Sequence, residues 1–598
     1  MEKFSKTKNN IIYIAKNWYK WDRRGTIFAF LRIPVAIVIP TLIAIIPKVI
    51  IETIERGISL EQFIFTISIF FSLAILFSWI QPMLEEKLNA FQKNISMHYA
   101  VEAFHKLLDM NYSVLESYDG RYKYERCKKF AFSGNTSDGA WAIVRVTGLL
   151  TALFGITTYL AIISIVDFKL VLLILLTCSF EYLFNKAITK VATHTENIMA
   201  KHELKFSYFF RIASDSNIAK DIRIFDAKDW LCQHLSKAVI AYTNILHWDT
   251  QKTTKLTLSQ SVCALIRDIA TFIFLIVSVL NGKISVADFT FYFGLISGFS
   301  IWINEISGHL TSLQRISGEA EKYQEFINLP NTILDENCNK CSLSVIEKIE
   351  FRDVCFDYGD GKEVLSNINF VVNKGEKIAI VGENGAGKTT LIKILCGLYK
   401  PTKGSVLINN KDISYFNLSE YYNCFSAIFQ EFVLLPTTLF SNITGNSSGN
   451  PESVEWAIEQ AGLKEKISQL PNGLNTNLIT QMNDIATDFS GGEQQKLLLA
   501  RAIYKDSSVL VLDEPTSAMD ALAEEALYQK YAEISKEKIS FFISHRLTST
   551  KFCTKIFFLK NGTITETGSH RELLNLEKEY KEMYNIQGIY YRKEGEII

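Results

Sequence analysis

Hydrophobic and polar positions divide the chain near its middle. Before about residue 325, apolar side chains come in long unbroken runs: 27–50, 63–84, 143–166, 168–187, 264–280 and 287–306. A helix crossing a bilayer needs about 20 mostly apolar residues, and each run is close to that length. After about residue 346 the pattern shortens to β-branched and aromatic runs of strand length, separated by Gly, Asn and Asp turns. The pattern predicts a membrane domain of six helices over 1–325, a polar linker over 326–345 that contains Pro330, and a soluble α/β nucleotide-binding domain over 346–598.

Charge placement orients the spans. Lys3, Lys6, Lys8, Lys16, Lys20, Arg23 and Arg24 precede the first. Two long loops, after the second and fourth spans, are also rich in Lys and Arg, whereas the connections at 51–62, near 167 and at 281–286 carry only Arg56 and Lys283. Basic loops stay in the cytoplasm, so a multi-pass protein of the cell membrane is expected, with its N-terminus, both long loops and the C-terminal half inside. Residues 1–26 lack a small-residue cleavage site and do not read as a secretory signal. The long loops are expected to be mostly helical over Glu85–Leu108 and Val191–Ile212.

Composition adds exclusions. The 598 residues hold 63 basic and 63 acidic side chains, so no basic excess points to nucleic acid. Cys338 and Cys341 form one C-x-x-C, and no second pair lies near to complete a four-ligand zinc site. Arg32, Arg145, Arg267, Asp268 and Glu305 fall in or beside the apolar runs. Ionisable groups at such depths tend to face a bundle interior or wet cavity. The simpler reading is that the helices run past the bilayer into water. Arg267 and Asp268 are adjacent and point in different directions on a helix, so their pairing is not to be assumed.

Three motifs in the second half carry chemistry. Gly382-Glu383-Asn384-Gly385-Ala386-Gly387-Lys388-Thr389 follows a strand run and precedes a helix, and Thr390 continues it. Its glycines let backbone N–H groups curl around phosphates, Lys388 supplies charge, and the Thr389 hydroxyl suits Mg2+. Farther on, the apolar strand 509–512 ends in Asp513 and Glu514. The first suits a magnesium ligand and the second a general base. Between them, Ser490-Gly491-Gly492-Glu493 opens a helical pattern and forms a second anion-binding device. One nucleotide does not need two from one domain, so the second invites a partner's nucleotide.

Taken in order, these motifs resemble the ATP-binding cassette superfamily, specifically half-transporters with an exporter-type membrane domain. That resemblance implies that Tyr358 stacks on adenine, that Gln430 senses magnesium and water, and that Ser490–Glu493 is the signature. It also implies that 517–520 lines the dimer seam and that His545 contacts the γ-phosphate. Phe489 replaces the usual Leu, Glu493 stands where Gln is common, and 480–488 lacks the Gly and Glu pattern of many exporters, which is more similar to bacterial peptide or lantibiotic exporters. The resemblance further implies ATP and Mg2+ as cofactors and a second half-transporter, identical or not, as partner. It implies contacts from Ser113–Gly120 and Ala219–Ala227 to the ATP-binding domain. The expected activity is ATP-driven export of a peptide, lipid or other amphipathic substrate by alternating access. An importer built on the same fold, for example for metal chelates, and an ATP-regulated sensor or channel are the alternatives.

Overall fold

The computed structural model describes residues 2–132, 137–165, 168–331, 342–359, 361–430, 432–446, 448–478, 487–514, 521–544 and 547–593. Two compact units emerge, and they do not follow chain order. One comprises 1–108 and 118–329; the other joins Asp109–Ser117 to 330–598.

The first unit is helical. Its elements are α1 (Glu2–Trp21), α2 (Arg23–Glu55), α3 (Leu60–Asp109), α5 (Tyr118–Ala131), α6 (Asp138–Ser164), α7 (Phe168–Ser214), α8 (Ser216–Ile224), α9 (Lys228–Leu280), α10 (Val286–Ser297) and α11 (Phe299–Ile327); the intervening α4 (Tyr112–Glu116) belongs to the second unit. Six stretches, Arg23–Glu55, Leu60–Asp109, Asp138–Ser164, Phe168–Ala192, Lys228–Leu280 and Val286–Ile327, are long and apolar enough to cross a membrane. They correspond to the six apolar runs. The 50-residue α3 and 53-residue α9, at about 1.5 Å of rise per residue, exceed any bilayer, so their polar ends must project from it. The exposed side chains along α3, including Phe65, Leu76 and Trp79, match a lipid surface.

Several charged groups inside this unit are paired. Lys48 on α2 meets Asp288 on α10 at 2.7 Å, and Arg32 meets Glu85 of α3 at 3.2 Å. Arg145 lies over the Trp141 ring, 5.2 Å from its centroid, while Glu305 is exposed. Arg267 is buried and binds Glu181 of α7 at 3.0 Å. It also binds its neighbour Asp268 at 2.7 Å, a pairing that helix geometry had left open. The long guanidinium folds back over one peptide, which backbone spacing alone does not exclude.

The second unit carries two sheets. Strands β1 (Lys348–Asp357), β2 (Glu363–Asn373), β4 (Lys403–Ile408) and β5 (Lys411–Asp412) form an antiparallel sheet in the order β2-β1-β4-β5. The other, six-stranded, has the order β10-β9-β3-β8-β7-β6, with β3 (Lys377–Gly382), β6 (Phe425–Ile428), β7 (Val509–Asp513), β8 (Ile539–Ile543), β9 (Lys555–Lys560) and β10 (Thr563–Gly568). Every residue of β7 and β8 is buried, as continuous apolar runs become when a parallel sheet is covered on both faces. The pairs β3/β8, β8/β7 and β7/β6 are all parallel, so these four strands end on one edge. Ligands of open α/β sheets bind along such an edge. Cys338, Cys341, 517–520 and 480–486 lie outside the described residues.

Candidate nucleotide site

The loop after β3 is bent by glycines that no other residue could replace without strain. Gly382 has φ +151°, and a Cβ there would sit 2.1 Å from the Leu559 carbonyl of β9. Gly387 has φ +100°, with Leu365 2.7 Å from any added Cβ. L-residues avoid this half of backbone space, so the loop can turn this tightly only with glycine. It feeds α12 (Lys388–Leu395), whose first N–H groups lack intrahelical acceptors and face the loop.

Lys388 is buried, and its Nζ donates to the Gly382 and Glu383 carbonyls at 3.0 and 2.8 Å. Burial depresses its pKa, an effect partly opposed by Glu514 and Asp513. Across the edge, β7 delivers Asp513, whose Oδ2 accepts from the Thr389 hydroxyl at 3.2 Å. Among the described residues its buried Oδ1 has no hydrogen-bond partner. Burial, assisted by the negative charge of Glu514, pushes the Asp513 carboxyl up to about 6 against the Thr389 hydrogen bond. Glu514 has φ +50°, a left-handed conformation unusual for a glutamate. Its N–H donates to Ile543 of β8, and its Oε2 accepts from Gln430 Nε2 at 3.1 Å. Residues held in such backbone positions concentrate at functional sites.

Asn384, Gly385, Gly387, Lys388, Thr389, Thr390, Gln430, Glu514 and Val364 line one cleft of about 600 Å³. The structure thus brings together the loop, Asp513, Glu514 and Gln430. Tyr358 joins them: its hydroxyl lies 2.9 Å from the Thr390 hydroxyl, and its ring is half exposed. Glu383 is exposed at the loop tip and Ala386 is buried beneath it. The oxygen donors Thr389, Asp513 with its unmatched Oδ1, and the Gln430 amide are the hard ligand set that Mg2+ takes.

Ser490 stands elsewhere. It caps the helix Gly491–Lys505 in a capping box, its Oγ accepting from the Glu493 N–H while Glu493 accepts from the Ser490 N–H at 2.9 Å. Glu493 is further tied to Lys466 at 2.9 Å, so its carboxylate is committed to its own chain. Among the described residues, the cleft lining includes none of Ser490, Gly491, Gly492 and Glu493. His545 lies outside the described residues; β8, which precedes it, is the strand between β3 and β7.

Three more residues adjoin the site, and one of them, Glu116, falls within the stretch 113–120 expected to touch the ATP-binding domain. Lys393 on α12 meets Glu116 of α4 at 3.0 Å, and Tyr399 donates to the same carboxylate.

Comparison with known proteins agrees with the motifs. The family model "ABC transporter" matches residues 365–517. The subtilin transport ATP-binding protein SpaT of Bacillus subtilis is 32% identical over 403 residues, 64% of this chain and 63% of that protein. An ATP-dependent lipid A-core flippase of Chromohalobacter salexigens is 38% identical over 242 residues, 40% of this chain and 41% of its own. The human mitochondrial iron-sulfur clusters transporter ABCB7 is 36% identical over 241 residues, 40% of this chain and 32% of that protein. The chain thus spans between about a third and two thirds of the curated relatives it matches. A solved structure of a bacterial Atm1-family ABC exporter with ATP bound superposes with a TM-score of 0.80 at 22% identity, covering 94% of this chain and 98% of that one. This is the same fold.

Proposed function

From a chain that joins an ABC transporter ATP-binding domain to a membrane unit with the exporter fold, we propose that two such half-transporters pair to drive a substrate out across the cell membrane at the expense of ATP. Residues 346–598 form the ATP-binding domain, and it lies with the N-terminus in the cytoplasm. The observation that carries this reading is the separation within one chain of the phosphate cleft from the Ser490-Gly491-Gly492 device, whose Ser490 and Gly491 are exposed. Each nucleotide is then shared, with the phosphate loop of one copy facing the signature of the other.

In that cleft Tyr358 stacks on adenine, and the backbone of 382–390 with Lys388 holds the phosphates. Thr389, Asp513 and Gln430 would hold Mg2+, which would supply charge neutralisation at the phosphates. Glu514 polarises the attacking water as general base, and its hydrogen bond to Gln430 keeps the carboxylate turned toward the cleft. His545 contacts the γ-phosphate. ATP favours the closed pair because it binds that state more tightly than the open one, and hydrolysis removes the bridging charge. The spans respond by alternating access.

The substrate class is peptide, lipid or another amphipathic molecule. SpaT is named for subtilin transport and another relative for lipid A-core, and the exposed apolar surface of the spans suits such molecules. Inverted membrane vesicles test the reading. ATP-dependent accumulation of a labelled lantibiotic-type peptide or lipid inside them, lost in Lys388→Ala, supports export. ATP hydrolysis with no accumulation of any such molecule overturns it.

A further inference from the structure

Tyr358 is held from behind by a chain of contacts that ends outside the nucleotide cleft. Its ring meets that of Tyr399 edge to face, with centroids 5.6 Å apart and planes at 89°. Phe356 packs 5.0 Å from each of them and closes the third side. Tyr399 is only 5% exposed, and its hydroxyl donates to the Glu116 carboxylate. The same carboxylate receives Lys393 Nζ at 3.0 and 3.2 Å. That ammonium also lies over the rings of Tyr112 and Tyr399, at 5.5 and 5.6 Å. Burial pushes the Glu116 carboxyl up, but the hydrogen bonds from Tyr399 and Lys393 outweigh it and hold Glu116 below its ordinary range. The carboxylate is therefore ionised at neutral pH, and its grip on Tyr399 is charge-assisted.

Edge-to-face packing fixes the plane of a ring as well as its place, because the positive edge of one ring must meet the negative face of another. A base stacks only on a face offered in the right plane. Among the described residues the polar anchor of Tyr358 is its hydroxyl on Thr390, and that anchor leaves rotation about the ring axis to be set by Tyr399.

We infer that Glu116 and Tyr399 are positioning residues for nucleotide recognition: they set the plane of the Tyr358 ring, so that stacking of the base depends on the seating of α4. The inference rests on reading Tyr358 as the platform for adenine. Helix α4 is continuous along the chain with α3 before it and α5 after it. Coupling of this kind is reciprocal in binding free energy, so base occupancy steadies α4 as much as α4 steadies the base.

The test uses the full-length protein in lipid nanodiscs, with ATP as the strongly stacking nucleotide and UTP as the weakly stacking one. Glu116→Gln and Tyr399→Phe are each expected to raise KM for ATP about 3–10-fold while KM for UTP changes less than about 2-fold, within the range base stacking supplies. kcat at saturating ATP stays within about twofold, and the double variant is no worse than the more severe single one, because both act through one contact. Tyr358→Ala should abolish the preference for ATP over UTP. If it does and neither positioning variant alters ATP KM, or if ATP and UTP KM rise in parallel, the relay is refuted. If Tyr358→Ala leaves the preference intact, the platform reading itself fails and the relay with it.

Discussion

The Arg267 guanidinium on α9 donates to the Glu181 carboxylate on α7 at 3.0 Å, with the two side chains 1% and 0% exposed. Two charges removed from water repay their desolvation only while both are present. Removing one partner leaves the other buried and uncompensated. Glu181→Leu is therefore expected to cost about 3 kcal/mol, near the low end for such pairs, because Asp268 still holds part of the guanidinium. The thermal midpoint in detergent should fall, and Glu181→Leu with Arg267→Met together should recover most of the loss. A double variant less stable than Glu181→Leu would reverse this account.

Glu514→Gln keeps the shape of the side chain and its proximity to Gln430 but removes the base. Turnover should drop about 10²–10⁴-fold, the usual contribution of general base catalysis. ATP affinity should persist and closed dimers should accumulate with unhydrolysed ATP. Near-normal hydrolysis in the purified variant would reassign the base.

Ser490→Ala separates a shared site from a self-contained one when two differently marked copies are co-purified. A dimer of one Lys388→Ala copy and one Ser490→Ala copy retains one intact shared site and should keep roughly half of wild-type ATPase activity if the sites act independently. A dimer in which one copy carries both changes has none and should be inactive. The opposite ranking would mean that each chain uses its own signature. Ser490→Ala also removes a helix cap worth about 1 kcal/mol, so thermal midpoints must be compared alongside activity.

Burial holds the Asp513 carboxyl at about 6, against 3.8 in open surroundings. A raised acid favours folding fully below the lower value and loses that contribution as pH rises through the upper one. Above about pH 6 the folded chain carries a buried charge that Asp513→Asn would remove. Without nucleotide, the Asn variant should gain on the order of 2 kcal/mol at pH 7.5, by the usual equivalence of pKa and free energy. The gain should vanish near pH 4. Added ATP and Mg2+ should stabilise wild type and fail to stabilise the variant. Thermal unfolding at the two pH values checks both halves.

What the sequence disclosed follows from what is local. The phosphate loop is a contiguous string whose glycines are demanded by backbone geometry, as Gly382 against Leu559 shows. The six spans were legible because length and apolarity alone answer to the bilayer. Asp513 and Glu514 were legible because they close an apolar strand run that follows the phosphate loop in the chain. Tyr399 and Glu181 were not, because their partners lie 283 and 86 residues away and no pattern in the chain marks them; for Glu116 the stretch 113–120 was expected to touch the ATP-binding domain, but its partner Lys393, 277 residues on, carried no mark. Glu493 was read as part of a ligand site, yet its carboxylate also serves the Ser490 cap and Lys466, a use that depends on where a distant short helix falls. The Arg267–Asp268 pairing was left open because helix direction argues against it and only the length of the guanidinium side chain allows it.

An ammonium has three hydrogens to give, and in Lys388 two are already pledged to the Gly382 and Glu383 carbonyls. The third points where those two dictate. Lys388 thus behaves as a fixed peg rather than a sweeping tether, and a planar guanidinium could not reproduce the tripod. Positive charge at residue 388 is therefore not enough: Lys388→Arg should serve the enzyme scarcely better than Lys388→Ala.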